Sequence, residues 1–237
     1  NYQNARRFDP KYKERFYWWF EYAGVIFLSG HYKTAEAFYL KSHTLNAEQN
    51  IPLVFGLIGD CKFFQGKFSD SIVYFDKLIN QQTKPNPSTY EYILKSVVAK
   101  FLTDNNLDNL KIDQISSEKL ANDGVNKNDD QLFYEAIKMN PLNGMAWFNY
   151  GVSLNFKGES EDALTAFLMT ACIQPGDSEA WRNSLGLALA TINIDLIHLI
   201  YGTAYKTVGS EFVNHLAQLI LDQPALSMET KQELIGA

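Results

Sequence analysis

The residues of this chain that could carry acid, base or nucleophilic chemistry are four histidines, His31, His43, His198 and His215, and two cysteines, Cys61 and Cys172. Catalysis by an imidazole needs a group that orients it, and Asp195 with His198, three residues apart on a helical stretch, is the one pairing on offer. That stretch, Asp195-Leu196-Ile197-His198-Leu199-Ile200, is strongly apolar, which suits a boundary histidine bonded to its neighbours better than a general base. The cysteines stand in separate helical segments with neither metal-ligand spacing nor a disulfide framework, so they are expected to be reduced thiols in or near a core. The sequence has no phosphate-cradling glycine loop, nucleophile elbow, His-Glu-x-x-His or paired Cys-x-x-Cys. The expectation is a chain without catalytic residues, metal ligands or a cofactor, and so not an enzyme.

What remains is recognition by aromatic side chains, 14% of the sequence, and their spacing indicates the elements that hold them. Trp147 and Trp181 lie 34 residues apart, and between them fall Tyr150, Gly151, Leu154, Gly158, Ala163, Phe167 and Pro175. Gly151 and Ala163 are small enough for two antiparallel helices to approach closely, while Trp147, Tyr150, Leu154 and Phe167 fill the space around that contact. Gly158 can take the left-handed conformation that ends the first helix. Ser160, followed by Glu161 and Asp162, is expected to cap and charge the start of the second helix, and Pro175 forbids its continuation.

The same register recurs upstream. Trp19, Tyr22, Ala23, Ile26, Gly30, Ala35 and Tyr39 form one copy, and Phe55, Ile58, Gly59, Gly66, Ser71 and Phe75 another, closed by Pro85 and Pro87. Phe133, Ala136 and Pro141 match a second helix alone, predicted over 129–140. Residues 90–102 read as a helix, with Ile93, Leu94, Val97, Val98 and Phe101 apolar. The Asn- and Asp-rich stretch from there to Lys127 is expected to be a long loop or a short, irregular helix around 117–121.

This pattern of Trp, Gly, Ala, Phe and Pro resembles the tetratricopeptide repeat family, whose 34-residue unit is a pair of antiparallel helices. The resemblance covers about three-quarters of the chain and implies an all-α fold, a right-handed α-solenoid of helix pairs with C-terminal capping helices. The organisation expected is an N-terminal leader or first helix over 1–15, two repeats over 16–87, a degenerate repeat with the polar insert over 88–143, a clear repeat and the start of the next over 144–190, and capping helices over 191–237. In the family the first helix of each unit lines a concave groove, which the resemblance places at Phe20, Gly24, Phe27 and Leu28; Gly56, Asp60, Phe63 and Phe64; Phe148, Val152, Asn155 and Phe156; and Arg182, Gly186, Leu189 and Ala190. Of these, Phe20, Phe27, Phe63, Phe64, Phe148, Asn155, Phe156 and Arg182 are the expected partner-binding residues. The subclass that grips a C-terminal carboxylate has Lys or Asn where this chain has Phe20, Gly24, Phe148 and Val152, so an apolar or helical segment of a partner protein fits the groove better.

The resemblance implies a non-enzymatic protein-binding adaptor. Two other readings are a regulatory or substrate-presenting repeat domain of a larger enzyme, for which the start at Asn1 instead of Met leaves room, and a chaperone of a secreted or membrane-inserting protein. A net charge of −6 disfavours a nucleic-acid partner, since phosphate contacts need clustered cations and only Arg6, Arg7, Lys11, Lys13 and Arg15 form a basic group. No run of apolar residues is long enough to span a bilayer, and two unpaired thiols lean toward a reducing, cytoplasmic setting. Three further helices are predicted over 196–206, 211–221 and 228–235. The apolar stripe of the second, Phe212, Val213, Leu216, Leu219 and Ile220, is expected to close the stack or to dock a second copy of the chain.

Overall fold

The computed structural model describes residue 4 and residues 10–46, 52–82 and 86–236. Most of the expected leader, with Arg6 and Arg7, and the closing Pro85 lie outside them. Among the described residues there are thirteen α-helices, one 3-10 helix and no strand, and no helix is long and apolar enough to cross a membrane. The chain divides into two compact units, Asn1–Lys84 and Pro85–Ala237.

In the first unit a 3-10 helix, Pro10–Glu14, leads into α1 (Phe16–Leu28), α2 (Tyr32–Leu45), α3 (Leu53–Phe63) and α4 (Phe68–Ile79). Helices α1 and α2 form one antiparallel pair, α3 and α4 another, and α2 packs on α3. Ala23, Ala35, Tyr39, Val54, Ile58 and Cys61 make the shared core, each at most 3% exposed.

The second unit contains α5 (Tyr90–Asp104), α6 (Gln114–Lys127), α7 (Asp130–Met139), α8 (Gly144–Phe156), α9 (Ser160–Ile173), α10 (Ser178–Ala190), α11 (Ile194–Thr207), α12 (Ser210–Asp222) and α13 (Met228–Gly236). Three hairpins, α6/α7, α8/α9 and α10/α11, stack in order through α7 on α8 and α9 on α10. Helix α5 stands outside that succession. It lies across α9 and α11, the second helices of two successive hairpins, and the Tyr90 ring reaches Gly202 so closely that a Cβ there would come within 2.6 Å of it. Helix α12 packs on α10 and α11, and α13 on α11 and α12. Val213, Leu216 and Ile220 of the C-terminal stripe are thereby buried, and Gln223 Nε2 donates to Leu189 O at 3.0 Å, at the end of α10.

One turn joins the helices of all five hairpins. Gly30, Gly66, Asn128, Gly158 and Ile192 hold φ between 51° and 81°. The next N–H in each case bonds a carbonyl five residues back: His31 to Ile26, Lys67 to Lys62, Asp129 to Gly124, Glu159 to Leu154 and Asn193 to Ala188. Glycine and asparagine suit this left-handed position. Isoleucine does not, because its branched Cβ crowds the following carbonyl. Ile192→Gly should therefore raise stability by about 1 kcal/mol, read as a higher urea midpoint with unchanged slope.

A second device opens the hairpins. Trp19 Nε1 donates to Lys13 O, Trp147 Nε1 to Pro141 O and Trp181 Nε1 to Pro175 O, all at 2.9 Å and all six residues upstream. The indole thus ties each first helix to the connection that precedes it. Where Phe55 replaces Trp, no such donor exists.

Two sequence expectations are corrected here. In the Asn- and Asp-rich stretch only residues 105–113 are without helix, and the helix around 117–121 is neither short nor irregular: α6 runs for 14 residues. Its helix is set by polar atoms and small residues instead of an apolar stripe. Asp113 caps it, accepting from Ser116 N at 3.0 Å. Ser117 Oγ donates to Ala136 O at 2.7 Å and accepts from Asn143 Nδ2 at 2.8 Å, while Gly124 leaves room for the Phe133 ring. The second correction concerns α9. Glu159 occupies its cap position without a side-chain cap bond, and Ser160 is already the first helical residue. Side-chain caps belong mostly to first helices, at Asp113, Asn143 and Asp177, with further ones at Asp129 and Asn193.

Candidate partner-binding face

With about 3.6 residues per turn, the residues of α8 divide into two faces. Trp147, Gly151 and Leu154 turn inward and are buried, the glycine letting the Phe167 ring and Ala166 approach within 3.2 Å of where a Cβ would sit. Phe148, Val152, Asn155 and Phe156 occupy the other face. Phe148 is half-buried, its ring edge-on to Phe167 at 5.5 Å, whereas Asn155 is exposed and Phe156, the last residue of the helix, is 89% exposed. Met145 lies one turn before Phe148 on the same helix and is 37% exposed. A methionine three residues before Phe148 is itself a helical-face signal. On α10, Arg182 is exposed and paired with Glu179, Gly186 and Ala190 are exposed, and Leu189 is buried.

The first unit has its own aromatic cluster. Phe20 is half-buried against Tyr39, ring centroids 5.6 Å apart. Phe27 meets Tyr32 at 5.1 Å and Phe64 at 5.7 Å, and Phe64 stacks on Tyr32 at 5.2 Å with 23° between planes. Leu28, 87% exposed, stands beside them in sequence. Phe63 sits differently: it is fully buried between Phe64 and Phe68, at 5.5 and 5.3 Å, and belongs to the core. A helix flanked by rings on several sides gives no sequence signal for which ring faces water, so Phe63 and Phe64 read alike until packed.

Charges near this cluster are engaged within the unit. Lys62 Nζ bridges Glu36 at 3.0 Å and Asp70 at 3.3 Å, and Gln65 Nε2 donates to Glu36 Oε2 at 2.8 Å. Burial pulls the Lys62 amine down, but its hydrogen bonds and attraction to Glu36 and Asp70 leave it above its ordinary value. Burial, then the negative charges of Asp60 and Glu36, push the Cys61 thiol far up, so it stays protonated and inert in the core. Burial, then Cys61 and Asp60, likewise raise the Tyr39 phenol to about 12. His198, the sequence's one candidate base, has its Nε2 2.5 Å from Tyr90 Oη on α5. It fastens that helix in place, and Asp195 is exposed. Both cysteines are buried and outside any disulfide, and among the described residues no group of His, Cys, Asp and Glu is arranged to hold a metal.

Helix pairs joined by one recurrent turn, with an indole tying the first helix of three of them to the connection before it, define a helical-repeat protein. The family model described as tetratricopeptide repeat matches residues 132–165, from α7 into α9. No curated protein matches this chain. Among solved structures it is similar to that of YrrB, described as a TPR protein with an unusual peptide-binding site, at 15% identity over 92% of this chain and 97% of that one, TM-score 0.34. It is also similar to the TPR2AB domain of yeast Sti1 in complex with pHSP90, at 14% identity over 100% and 90% of the two chains, TM-score 0.36. A third is TTC0263, a thermophilic TPR protein of Thermus thermophilus, at 14% identity over 86% and 97%, TM-score 0.35.

Proposed function

We propose that this chain is a non-enzymatic interaction module that receives an apolar or helical segment of a partner protein on the faces of its first helices. The observation that carries the reading is Phe156, a large ring 89% exposed at the end of α8, on the same face as half-buried Phe148 and Val152. Covering such a surface recovers about 25 cal/mol per Å² of apolar area, and aromatic side chains at a contact centre dominate binding energies. Asn155 and Arg182 supply the polar groups that would fix the orientation of the bound segment. In the first unit, Phe20, Phe27 and Phe64 form the corresponding surface.

The test uses peptides selected for binding to the intact chain from a displayed library. Their affinity is then measured for the wild type and for Phe156→Ala. Because Phe156 is exposed, the variant should keep its circular dichroism and thermal midpoint while binding weakens roughly tenfold. Equal affinity for both proteins would remove the α8 face from the proposal. Phe63→Ala, by contrast, should lower stability and leave any folded fraction binding normally.

A further inference from the structure

Beyond the α8 face, a cavity of about 230 Å³ lies where the end of α5 meets the middle of the second unit. Phe101 and Asn105 bound it from α5 and its cap, Tyr134 from α7, Trp147 and Tyr150 from α8, and Asp162 from α9. The rings stand at angles to one another: Phe101 and Trp147 at 6.2 Å and 72°, Trp147 and Tyr150 at 6.5 Å and 61°, Tyr134 and Tyr150 at 5.9 Å and 34°. The Trp147 N–H is already given to Pro141 O, so the indole offers this space its π-system and no donor. Asn105 and Asp162 are exposed, which opens the cavity to solvent on their side.

The local charge is negative. Burial raises the Tyr150 phenol, and the nearby Asp130, Tyr134, Asp162 and Glu159 raise it further. The two lysines close by are engaged elsewhere, Lys157 with Asp130 at 2.6 Å and Lys138 with Glu135 at 2.9 Å, and neither lines the cavity. Lys138 Nζ also sits 4.6 Å from the centre of the Tyr134 ring, so one of these rings already holds a cation within the protein. An anion would meet the Asp162 carboxylate, a charge of its own sign. A cation is attracted by that carboxylate and by aromatic π-systems, and one whose N–H groups are replaced by methyls gives up little hydration on entering an aromatic enclosure.

We propose that this cavity binds a methylated ammonium group, enclosed by Phe101, Tyr134, Trp147 and Tyr150 with the Asp162 carboxylate at its mouth. Such a group reaches it in one of two forms, as a free quaternary amine or on a trimethylated lysine of a partner chain. The site shares no residue with the α8 face, so either proposal can fail alone.

Calorimetric titration of the intact chain decides the matter, using choline, its uncharged isostere with carbon in place of nitrogen, and a short peptide carrying lysine either trimethylated or unmodified. Choline is expected to bind roughly tenfold more tightly than the isostere, the contribution of a desolvated cation–π contact, and Tyr134→Leu and Asp162→Asn should each weaken it several-fold. A trimethylated peptide that outbinds choline would assign the site to a modified protein, and one that binds no better than choline would assign it to a small amine. Either result supports the proposal. Absence of binding by choline and trimethylated peptide alike, equal affinity for choline and the isostere, or equally tight binding of the trimethylated and unmodified peptides would overturn it. Asp162 is exposed, so Asp162→Asn keeps the test open if Tyr134→Leu perturbs folding; unchanged choline affinity in a folded Asp162→Asn protein also counts against the assignment.

Discussion

Trp181→Ala should destabilise the second unit by about 3–5 kcal/mol, the range for deleting a buried aromatic side chain. Trp181 is 1% exposed and carries two tasks, filling the space between α10 and its neighbours and donating its indole N–H to Pro175 O. Trp181→Phe separates them. It keeps most of the apolar surface and abolishes the donor, so it should cost about 1–2 kcal/mol, the loss of a part-buried hydrogen bond together with a small void. Urea denaturation followed by circular dichroism measures both. If Trp181→Phe proved as damaging as Trp181→Ala, the indole tie would account for the whole effect; if it proved harmless, the tie would be geometry without energetic weight.

Gly59→Ala is the second large effect, with a sign opposite to what helix propensity alone predicts. At an open helical site, replacing glycine by alanine gains about 0.5–1 kcal/mol. At position 59 a new Cβ would stand 2.5 Å and 2.6 Å from atoms of the Phe75 ring, and Phe75 is fully buried in α4. The expected result is a loss of about 2 kcal/mol from overpacking. The double variant Gly59→Ala with Phe75→Leu should recover part of it, since the contacting edge of the ring is gone. A stabilised Gly59→Ala protein would show that α3 and α4 can move apart without penalty.

These two positions also show what the sequence made legible. Trp181 and Gly59 were readable because each performs a local task at a fixed offset from other residues of its own hairpin. The left-handed turns at Gly30, Gly66 and Gly158 were readable for the same reason. Helix α6 was not, because Asp113, Ser117, Ala121 and Gly124 are residues that also build loops. What makes them helical is contact with Ala136, Asn143 and Phe133, residues of other elements. The position of α5 against α9 and α11 was likewise out of reach, since its apolar residues indicate only that it is buried, not by what. On the binding face, spacing placed Phe148 and Phe156 on one side of α8, yet 89% exposure for one and half-burial for the other came from their neighbours. Phe63 shows the reverse case, an aromatic at an inner-face position taken into the core by Phe68.

The cap at the start of α8 bears on how this protein ages. Asn143 is followed by Gly144, the dipeptide in which a flexible chain most readily loses side-chain ammonia as the glycine nitrogen closes onto the amide carbon. Here the Asn143 side chain accepts from Ala146 N at 3.1 Å and donates to Ser117 Oγ at 2.8 Å, and Gly144 is already wound into the helix. Ring closure would require that turn to come apart first, so deamidation at this bond should proceed only as fast as the α6–α8 junction opens.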